Sequence, residues 1–288
     1  MSESFKKYSL LIFTFILLFF AFLVIRADLQ NSNKKFSFSM FDVGQGDSLL
    51  IKSPSGVQVL IDGGPSEKIL SALKKEMPAF DRSLDAIIIT NPDQDHIGGI
   101  LDVLKVYKVG TIFESGTWSD SRTYKNLEEE IIKKKIPNIL AKKGMKLDLG
   151  DGAQIDILFP DRNVTSWPTN EGSIVARLSY GNVKIMLTGD ATNKTEDLIL
   201  KENSKEKLQS YILKAGHHGS KYSSSINFLK IVSPEYALIS VGKNNKYNHP
   251  APEILGIFSD LGVKVLRTDQ LGTIIVKCDK IGVCEINK

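Results

Sequence analysis

The stretch that decides the fold is residues 84–99, LDAIIITNPDQDHIGG, in which an apolar run ends in a cluster of polar side chains. The run LDAIIIT is nearly continuous in apolar residues, which is typical of a strand buried on both faces. Asn91, Asp93, Asp95 and His96 follow at once, and a glycine pair closes the segment. Because rigid scaffolds hold reactive groups on loops at strand ends, this junction predicts a functional site.

Three other segments share this design, since each has an apolar strand followed directly by metal-capable side chains. They are IMLTGD (185–190), ILKAGHHGS (212–220) and YALISVGKNNKYNHP (236–250). All four histidines of the chain fall in these segments and in residues 90–96. Imidazole and carboxylate groups without thiolate suit zinc or manganese, and the sequence therefore predicts a divalent metal, with zinc first. Such a metal supplies hydrolytic chemistry by activating water.

The chain has 288 residues and a formal net charge of +4, which is too mild to indicate nucleic-acid binding by itself. Short strand patterns alternate with helical patterns from residue 36 to residue 288, and no linker divides them. We therefore predict one α/β domain of two packed sheets covered by helices over 36–288. The segment DVGQGD lacks the ending of a phosphate-binding loop, so no nucleotide cofactor is predicted.

The N-terminus differs from the rest of the chain. Residues 8–25 carry no charge, and they are preceded by Lys6-Lys7 and followed by Arg26. This length just reaches that of a membrane-spanning helix, so residues 1–26 are predicted to be a membrane anchor or an uncleaved signal. Residues 27–35 then form a polar linker.

The two cysteines bear on the compartment. Cys278 and Cys284 flank a likely hairpin turn, where they either form a disulfide or remain unpaired thiols. Because a disulfide persists only in an oxidising compartment, we expect the domain on the outer side of a cell membrane, as a single-pass protein.

Residues 90–99 resemble the first signature of the metallo-β-lactamase fold, in a variant similar to the hydrolase domain of ComEC, the DNA-uptake competence protein. Further segments resemble that family's motifs in the family's order: FDVGQGDSLLI (41–51), VLIDGG (59–64), NEGSIV (170–175), LTGD (187–190), KAGHHGS (214–220), YNHP (247–250) and RTDQLG (267–272). The resemblance covers roughly residues 37–277 and implies an αββα metallo-β-lactamase sandwich with a metal centre at one edge.

The resemblance also implies the ligands. Asp95, His96 and His217 would hold one metal, and Asp190 would bridge to a second one bound by Asp93 and position 91. Most relatives have histidine at that position, whereas this chain has Asn91. An amide oxygen is a weak metal ligand, so we expect one firmly held metal and a second held loosely.

Roles for the remaining residues follow from the same resemblance. Asp95, His218 and His249 are the candidate acid–base groups, and Asp62 is expected to orient a ligand histidine through a hydrogen bond. The candidate substrate contacts are Asn170, Ser220 and Thr268.

The predicted function is a metal-dependent hydrolase of phosphodiesters that acts on single-stranded DNA, membrane-anchored through residues 8–25 and working with an uptake channel. A cell-envelope phosphodiesterase or esterase is the enzymatic alternative. A binding module for DNA or a partner protein, weakened in catalysis by Asn91 and Asn170, is the non-enzymatic one.

Overall fold

The computed structural model describes residues 8, 11–22, 35–78 and 80–287. Residues 1–35 and 36–288 form two separate units. In the first unit, residues 11–22 are helical, while residues 1–7, 9, 10 and 23–34 of the predicted anchor and linker lie outside the described residues. Among the residues described, no helix has both the length and the apolar character needed to cross a bilayer. This finding contradicts the predicted single-pass membrane anchor.

The second unit contains two sheets, and the first has eight strands. Along the sheet their order is β15-β14-β1-β2-β3-β4-β5-β6. The strands are β1 (Phe36–Met40), β2 (Leu49–Lys52), β3 (Gln58–Ile61), β4 (Ser83–Ile89), β5 (Lys108–Glu114), β6 (Asn138–Leu140), β14 (Ile274–Cys278) and β15 (Cys284–Asn287). Strands β3 to β6 run parallel, and the last four residues of β4, 86–89, are buried on both faces as predicted.

The second sheet has seven strands in the order β13-β12-β11-β10-β9-β8-β7. They are β7 (Lys146–Asp148), β8 (Ala153–Phe159), β9 (Val175–Tyr180), β10 (Val183–Leu187), β11 (Ile212–Lys214), β12 (Tyr236–Ile239) and β13 (Lys264–Arg267). Strands β10 to β13 are parallel, so their carboxyl ends lie along one edge.

Three apolar layers hold this unit together. Side chains from the facing sides of both sheets, such as Phe38 and Ile185, form the central layer. The outer side of the first sheet packs on helices Lys68–Glu76, Gln94–Ile97, Ile100–Val106 and Arg122–Lys134. The outer side of the second sheet packs on helices Asn193–Glu202, Lys205–Leu208, Ile226–Val232 and Pro252–Asp260. The predicted αββα sandwich is confirmed.

Two local features complete the unit. The sequence pattern predicts one helix from His96 onward, but the structure has two, because the chain crosses the loop after β3 at Gly98 and Gly99. A Cβ atom at Gly98 would lie 2.2 Å from the carbonyl oxygen of Pro65, so no larger residue fits there. At the other end, Cys278 and Cys284 pair across the β14–β15 hairpin and form a disulfide.

Candidate metal centre

The strand ends of both sheets bring the predicted residues together. Asp62 follows β3, Asp95 and His96 lie on the short helix after β4, and Asp190 follows β10. A 3-10 turn, Gly216–Gly219, follows β11 and holds His217 and His218. Both histidines have positive φ values, 45° and 55°, a conformation that is costly for residues with a side chain and is concentrated at functional sites.

Four of these residues form a compact cluster. The Nε2 atom of His96 lies 3.1 Å from Oδ2 of Asp190. The Nε2 atom of His218 lies 3.2 Å from Oδ2 of Asp95 and 3.5 Å from Oδ2 of Asp190. One ligand atom from each of Asp95, His96, Asp190 and His218 lies within 4.8 Å of the others. Two imidazoles and two carboxylates at this spacing fit a divalent ion of the zinc or manganese type.

The cluster is buried on one side and open on the other. The His96, His218 and Asp190 side chains are almost completely buried, whereas that of Asp95 is 31% exposed. The Oδ1 atom of Asp190 has no hydrogen-bond partner among the described residues, and the Lys214 ammonium lies 3.6 Å from it. Because buried polar atoms rarely lack a partner, this oxygen also fits a site built to hold a cation.

A buried layer beneath the cluster fixes both imidazole rings. The Nδ1 atom of His96 lies 2.8 Å from Oδ2 of Asp62, whose carboxylate also accepts hydrogen bonds from the backbone and hydroxyl of Thr90. The Nδ1 atom of His218 lies 2.9 Å from the carbonyl oxygen of Ser240. A histidine whose Nδ1 is engaged in this way presents Nε2 to a metal. Asp62 therefore has the position that its predicted orienting role requires.

Deeper still, Lys214 forms a buried ion pair with Asp47 from the segment DVGQGD. The Lys214 ammonium also donates to the Gly189 carbonyl at 2.8 Å and lies 3.6 Å from Oδ1 of Asp190. The same segment supports Asp95, because a Cβ atom at Gly46 would lie 2.2 Å from the Asp95 carbonyl oxygen. Only glycine allows the two loops to approach so closely.

The charged groups of the cluster shift one another's pKa values. Burial opposes charge on His218, but the Asp190 and Asp47 carboxylates raise its pKa to about 10. Burial likewise opposes charge on His96, and Asp190 and Asp62 hold its pKa well above the usual value. The pKa of the buried Asp190 carboxyl lies well below its usual value because His218 and His96 stabilise its charge. The surroundings therefore favour positive charge at this point, as a cation site requires.

Asn91 and Asp93 lie beside the cluster, and both are engaged in local hydrogen bonds. Asn91 accepts a hydrogen bond from the Asp93 backbone at 2.9 Å and donates to Ser173 at 3.3 Å. The Thr169 hydroxyl donates to Asp93 at 2.9 Å, and burial raises the pKa of the Asp93 carboxyl. The Asn91 side chain therefore ties the Asp93 backbone to Ser173. The weak second metal site stays a prediction.

The two adjacent histidines have different surroundings. His218 belongs to the cluster, whereas Nε2 of His217 lies 3.8 Å from Asp190 and its side chain is 26% exposed. The His217 ring packs against His249 at 5.4 Å, and Tyr247 stacks on His249 at 5.8 Å. The resemblance assigned the ligand role to His217, but the distances favour His218. Burial and the neighbouring His217 lower the pKa of His249 to about 4, so its imidazole is neutral at neutral pH.

The three predicted substrate contacts differ in their hydrogen bonds. The Oδ1 atom of Asn170 has no hydrogen-bond partner among the described residues, which suits a ligand contact. The Ser220 hydroxyl accepts a hydrogen bond from the Tyr222 backbone at 3.3 Å. The buried Thr268 hydroxyl exchanges hydrogen bonds with both backbone groups of Val241, at 2.8 and 2.9 Å. Thr268 therefore ties the helical turn Thr268–Leu271 to the segment after β12, and its predicted substrate contact stays a prediction.

The sequence gives little sign of two residues that the structure places at the centre. Asp47 is identifiable only as part of a family motif, and Lys214 resembles any lysine at a strand end. The feature that could identify them is their place in the sequence, because both lie where an apolar strand meets a polar segment.

A two-sheet sandwich with an Asp/His cluster at its strand ends is the framework of a metal-dependent hydrolase or a related metalloenzyme. The chain belongs to the metallo-beta-lactamase superfamily, whose family model matches residues 41–243.

Two named bacterial proteins are similar to most of this chain. The chain is 33% identical over 257 residues to ComE operon protein 3 of Bacillus subtilis (strain 168), covering 82% of this chain and 32% of that protein. It is 28% identical over 262 residues to competence protein ComA of Neisseria gonorrhoeae, covering 90% of this chain and 34% of that protein. The chain thus spans about a third of the length of these relatives. The predicted resemblance to ComEC-type competence proteins is confirmed.

Among solved structures, Igni18, a metallo hydrolase from the archaeon Ignicoccus hospitalis, is similar in fold. It has a TM-score of 0.54 and 15% sequence identity, and the match covers 88% of this chain and 99% of that one. At this identity the likeness supports the fold alone.

Proposed function

We propose that this chain is a metal-dependent hydrolase of phosphodiesters and that its substrate is single-stranded nucleic acid. The observation that carries the proposal is the cluster of Asp95, His96, Asp190 and His218, which has the ligand types and spacing of a metal site. The competence proteins among the relatives support a nucleic-acid substrate. A separate uptake channel as a working partner remains a prediction.

The protein's own groups divide the work. Asp95, His96, Asp190 and His218 would hold a divalent ion, which when bound lowers the pKa of water and polarises a phosphoryl oxygen. Burial opposes ionisation of Asp95, yet the hydrogen bond from His218 lowers the pKa of this carboxyl. Asp95 is therefore ionised at neutral pH and, being partly exposed, can accept a proton from the solvent side. Asp62, Asp47 and Lys214 hold the cluster in place from below.

His249 and His217 lie on the open side of the cluster. Because the imidazole of His249 is neutral at neutral pH, it can exchange hydrogen bonds with a substrate oxygen without adding charge. The Nδ1 atoms of both rings are buried and have no hydrogen-bond partner among the described residues.

The test uses the full chain and a matched pair of variants. We expect the purified protein to bind zinc or manganese and to hydrolyse thymidine 5′-p-nitrophenyl phosphate, with loss of activity in a chelator. Asp95→Asn should lower kcat/KM by about 10²-fold or more, the usual contribution of a positioned proton-transfer group. Asp102→Asn changes a carboxylate of the helix Ile100–Val106 that pairs with Lys105, and it should retain wild-type activity.

Three results would contradict the proposal. Equal activity in the wild type and in Asp95→Asn would show that the cluster takes no part in the reaction. Hydrolysis of p-nitrophenyl acetate but not of the phosphodiester would indicate an esterase. Metal and oligonucleotide binding without turnover would indicate a binding module.

A further inference from the structure

A cleft of about 370 Å³ opens beside the cluster. One wall is formed by Asn170, a second by Thr192 and Asn193 at the start of the helix Asn193–Glu202, and the third by His217 and Tyr222. His217 joins the cleft to the cluster, because its Nε2 atom lies 3.8 Å from Asp190. A group bound in this cleft would therefore lie next to the reacting position.

Several polar atoms of the cleft-lining residues have no protein partner. The side-chain oxygens of Asn170, Thr192 and Asn193 and the Nδ1 atom of His217 are buried and make no hydrogen bond to any described residue. A buried polar atom without a partner destabilises a fold, so proteins seldom keep one without a use. Because these four atoms are enclosed, their side chains would have to turn towards the cleft to hydrogen-bond a ligand there, and such a ligand would then satisfy them.

The charged residues of the cleft neutralise each other. The Lys194 ammonium lies 2.6 Å from Oε2 of Glu171 and also 5.1 Å from the centre of the Trp167 ring. A phosphate is best held by a cation that is free to form charge-assisted hydrogen bonds, and Lys194 is already paired. The lining therefore suits a neutral, polar ligand better than an anion.

Tyr222 gives the cleft an aromatic wall. Tyr222 is 63% exposed, so its ring is open to a ligand. Its backbone carbonyl accepts a hydrogen bond from the Asn193 backbone at 2.8 Å, so the two walls are tied together. Lys221 lies 5.2 Å from the Tyr222 ring centre and adds positive charge at the rim. Flat rings stack on such a surface, and a neighbouring cation attracts a phosphate backbone.

We propose that this cleft is a nucleobase subsite, in which one base stacks on Tyr222 and the Asn170 and Asn193 amides bind its edge. Asparagine amides have the paired donor and acceptor that base edges require. The subsite would place the nucleotide next to the scissile phosphate at the cluster, so this inference rests on the proposed function.

The experiment compares two esters that share one leaving group. Thymidine 5′-p-nitrophenyl phosphate carries a base, whereas methyl p-nitrophenyl phosphate does not. The full, metal-loaded chain should prefer the thymidine ester in kcat/KM by about 5-fold or more, as expected for one stacked base. Tyr222→Ala and Asn193→Ala should reduce this preference, mainly through KM for the thymidine ester. Tyr222→Phe should keep the preference for the thymidine ester, because the ring remains. Asn227→Ala should keep it as well, because Asn227 is exposed on the helix Ile226–Val232 and does not line the cleft.

A binding measurement separates this inference from catalysis. In a chelator, fluorescence anisotropy should show tighter binding of a short oligothymidylate than of an abasic strand of equal length and charge. Tyr222→Ala should remove that difference. Equal wild-type binding of the two strands, or equal losses for both esters in Tyr222→Ala, would overturn the nucleobase subsite. Absence of hydrolysis of either ester would refute the proposed function instead, and the binding measurement would then decide the subsite.

Discussion

Lys214 and Asp47 form an ion pair in which both side chains are buried, with 1% and 0% of their surfaces exposed. The two residues come from opposite sheets, since Asp47 lies between β1 and β2 and Lys214 ends β11. Burial favours the neutral forms of both groups, yet each holds the other charged: the pKa of Asp47 is lowered and that of Lys214 is raised. The pair therefore joins the two halves of the sandwich directly under the candidate metal centre.

Removing one member of this pair should destabilise the protein strongly. Lys214→Met or Asp47→Asn leaves the other charge buried without its partner, which typically costs about 3–5 kcal/mol in the free energy of unfolding. The double variant should lose less than the sum of the single losses, by about 1–3 kcal/mol, because no unpaired charge remains. Urea denaturation of the four proteins measures this. Additive losses would show that the two residues do not act as a pair.

An exposed ion pair provides the control for that cycle. Lys105 and Asp102 lie 2.8 Å apart on the helix Ile100–Val106, and the Lys105 side chain is 68% exposed. Lys105→Met should leave the urea midpoint unchanged, because solvent screens such a pair.

Asp62 should act on metal affinity through His96. The Asp62 carboxylate fixes the His96 ring by a 2.8 Å contact, so Asp62→Asn should weaken metal binding by about 10- to 100-fold. Asparagine is the suitable replacement because Asp62 has a positive φ of 58°, which asparagine tolerates better than alanine does. Competition with a chromogenic chelator measures the affinity. Wild-type affinity in a folded variant would exclude the orienting role.

His218 and His217 should differ in their effect on metal content. The Nε2 atom of His218 lies within 3.5 Å of both Asp95 and Asp190, whereas His217 approaches Asp190 only at 3.8 Å. We therefore expect His218→Ala to lower the bound metal measured by elemental analysis far more than His217→Ala does. The opposite order would restore the assignment implied by the family resemblance.

This pair of histidines shows what the sequence could and could not predict. The apolar runs and the polar residues after them predict an α/β domain of two packed sheets and the strand ends that carry the site, and the family resemblance implies the αββα sandwich. Which of two adjacent histidines enters the cluster depends on the left-handed backbone at both positions, with φ values of 45° and 55°. Such a conformation is set by packing around the turn, and no local pattern encodes it.

Burial and long-range pairing were equally hard to predict. In the sequence, Lys214 resembles any lysine at a strand end because its partner Asp47 is far away along the chain, and the pairing follows only from the stacking of two sheets. In the same way, the family resemblance predicts Asn91 to be a weak metal ligand. Its hydrogen bonds to the Asp93 backbone and Ser173 show that it also has a structural use.

Glu114 should make stability depend on pH in the range from about 4.5 to 7. Burial, followed by the nearby Glu128 carboxylate, raises the pKa of Glu114 from 4.5 to about 7. In this range the folded protein keeps a proton that the unfolded chain has released, so the free energy of unfolding should fall as pH rises. The full loss is about 3 kcal/mol and is reached above pH 7.

Glu114→Gln mimics the protonated form and should remove this part of the pH slope in urea titrations. Glu130→Gln should keep the wild-type slope, because the hydrogen bond from Lys133 lowers the pKa of Glu130 and places its titration below this range. Parallel curves for the wild type and Glu114→Gln would show that Glu114 does not titrate there.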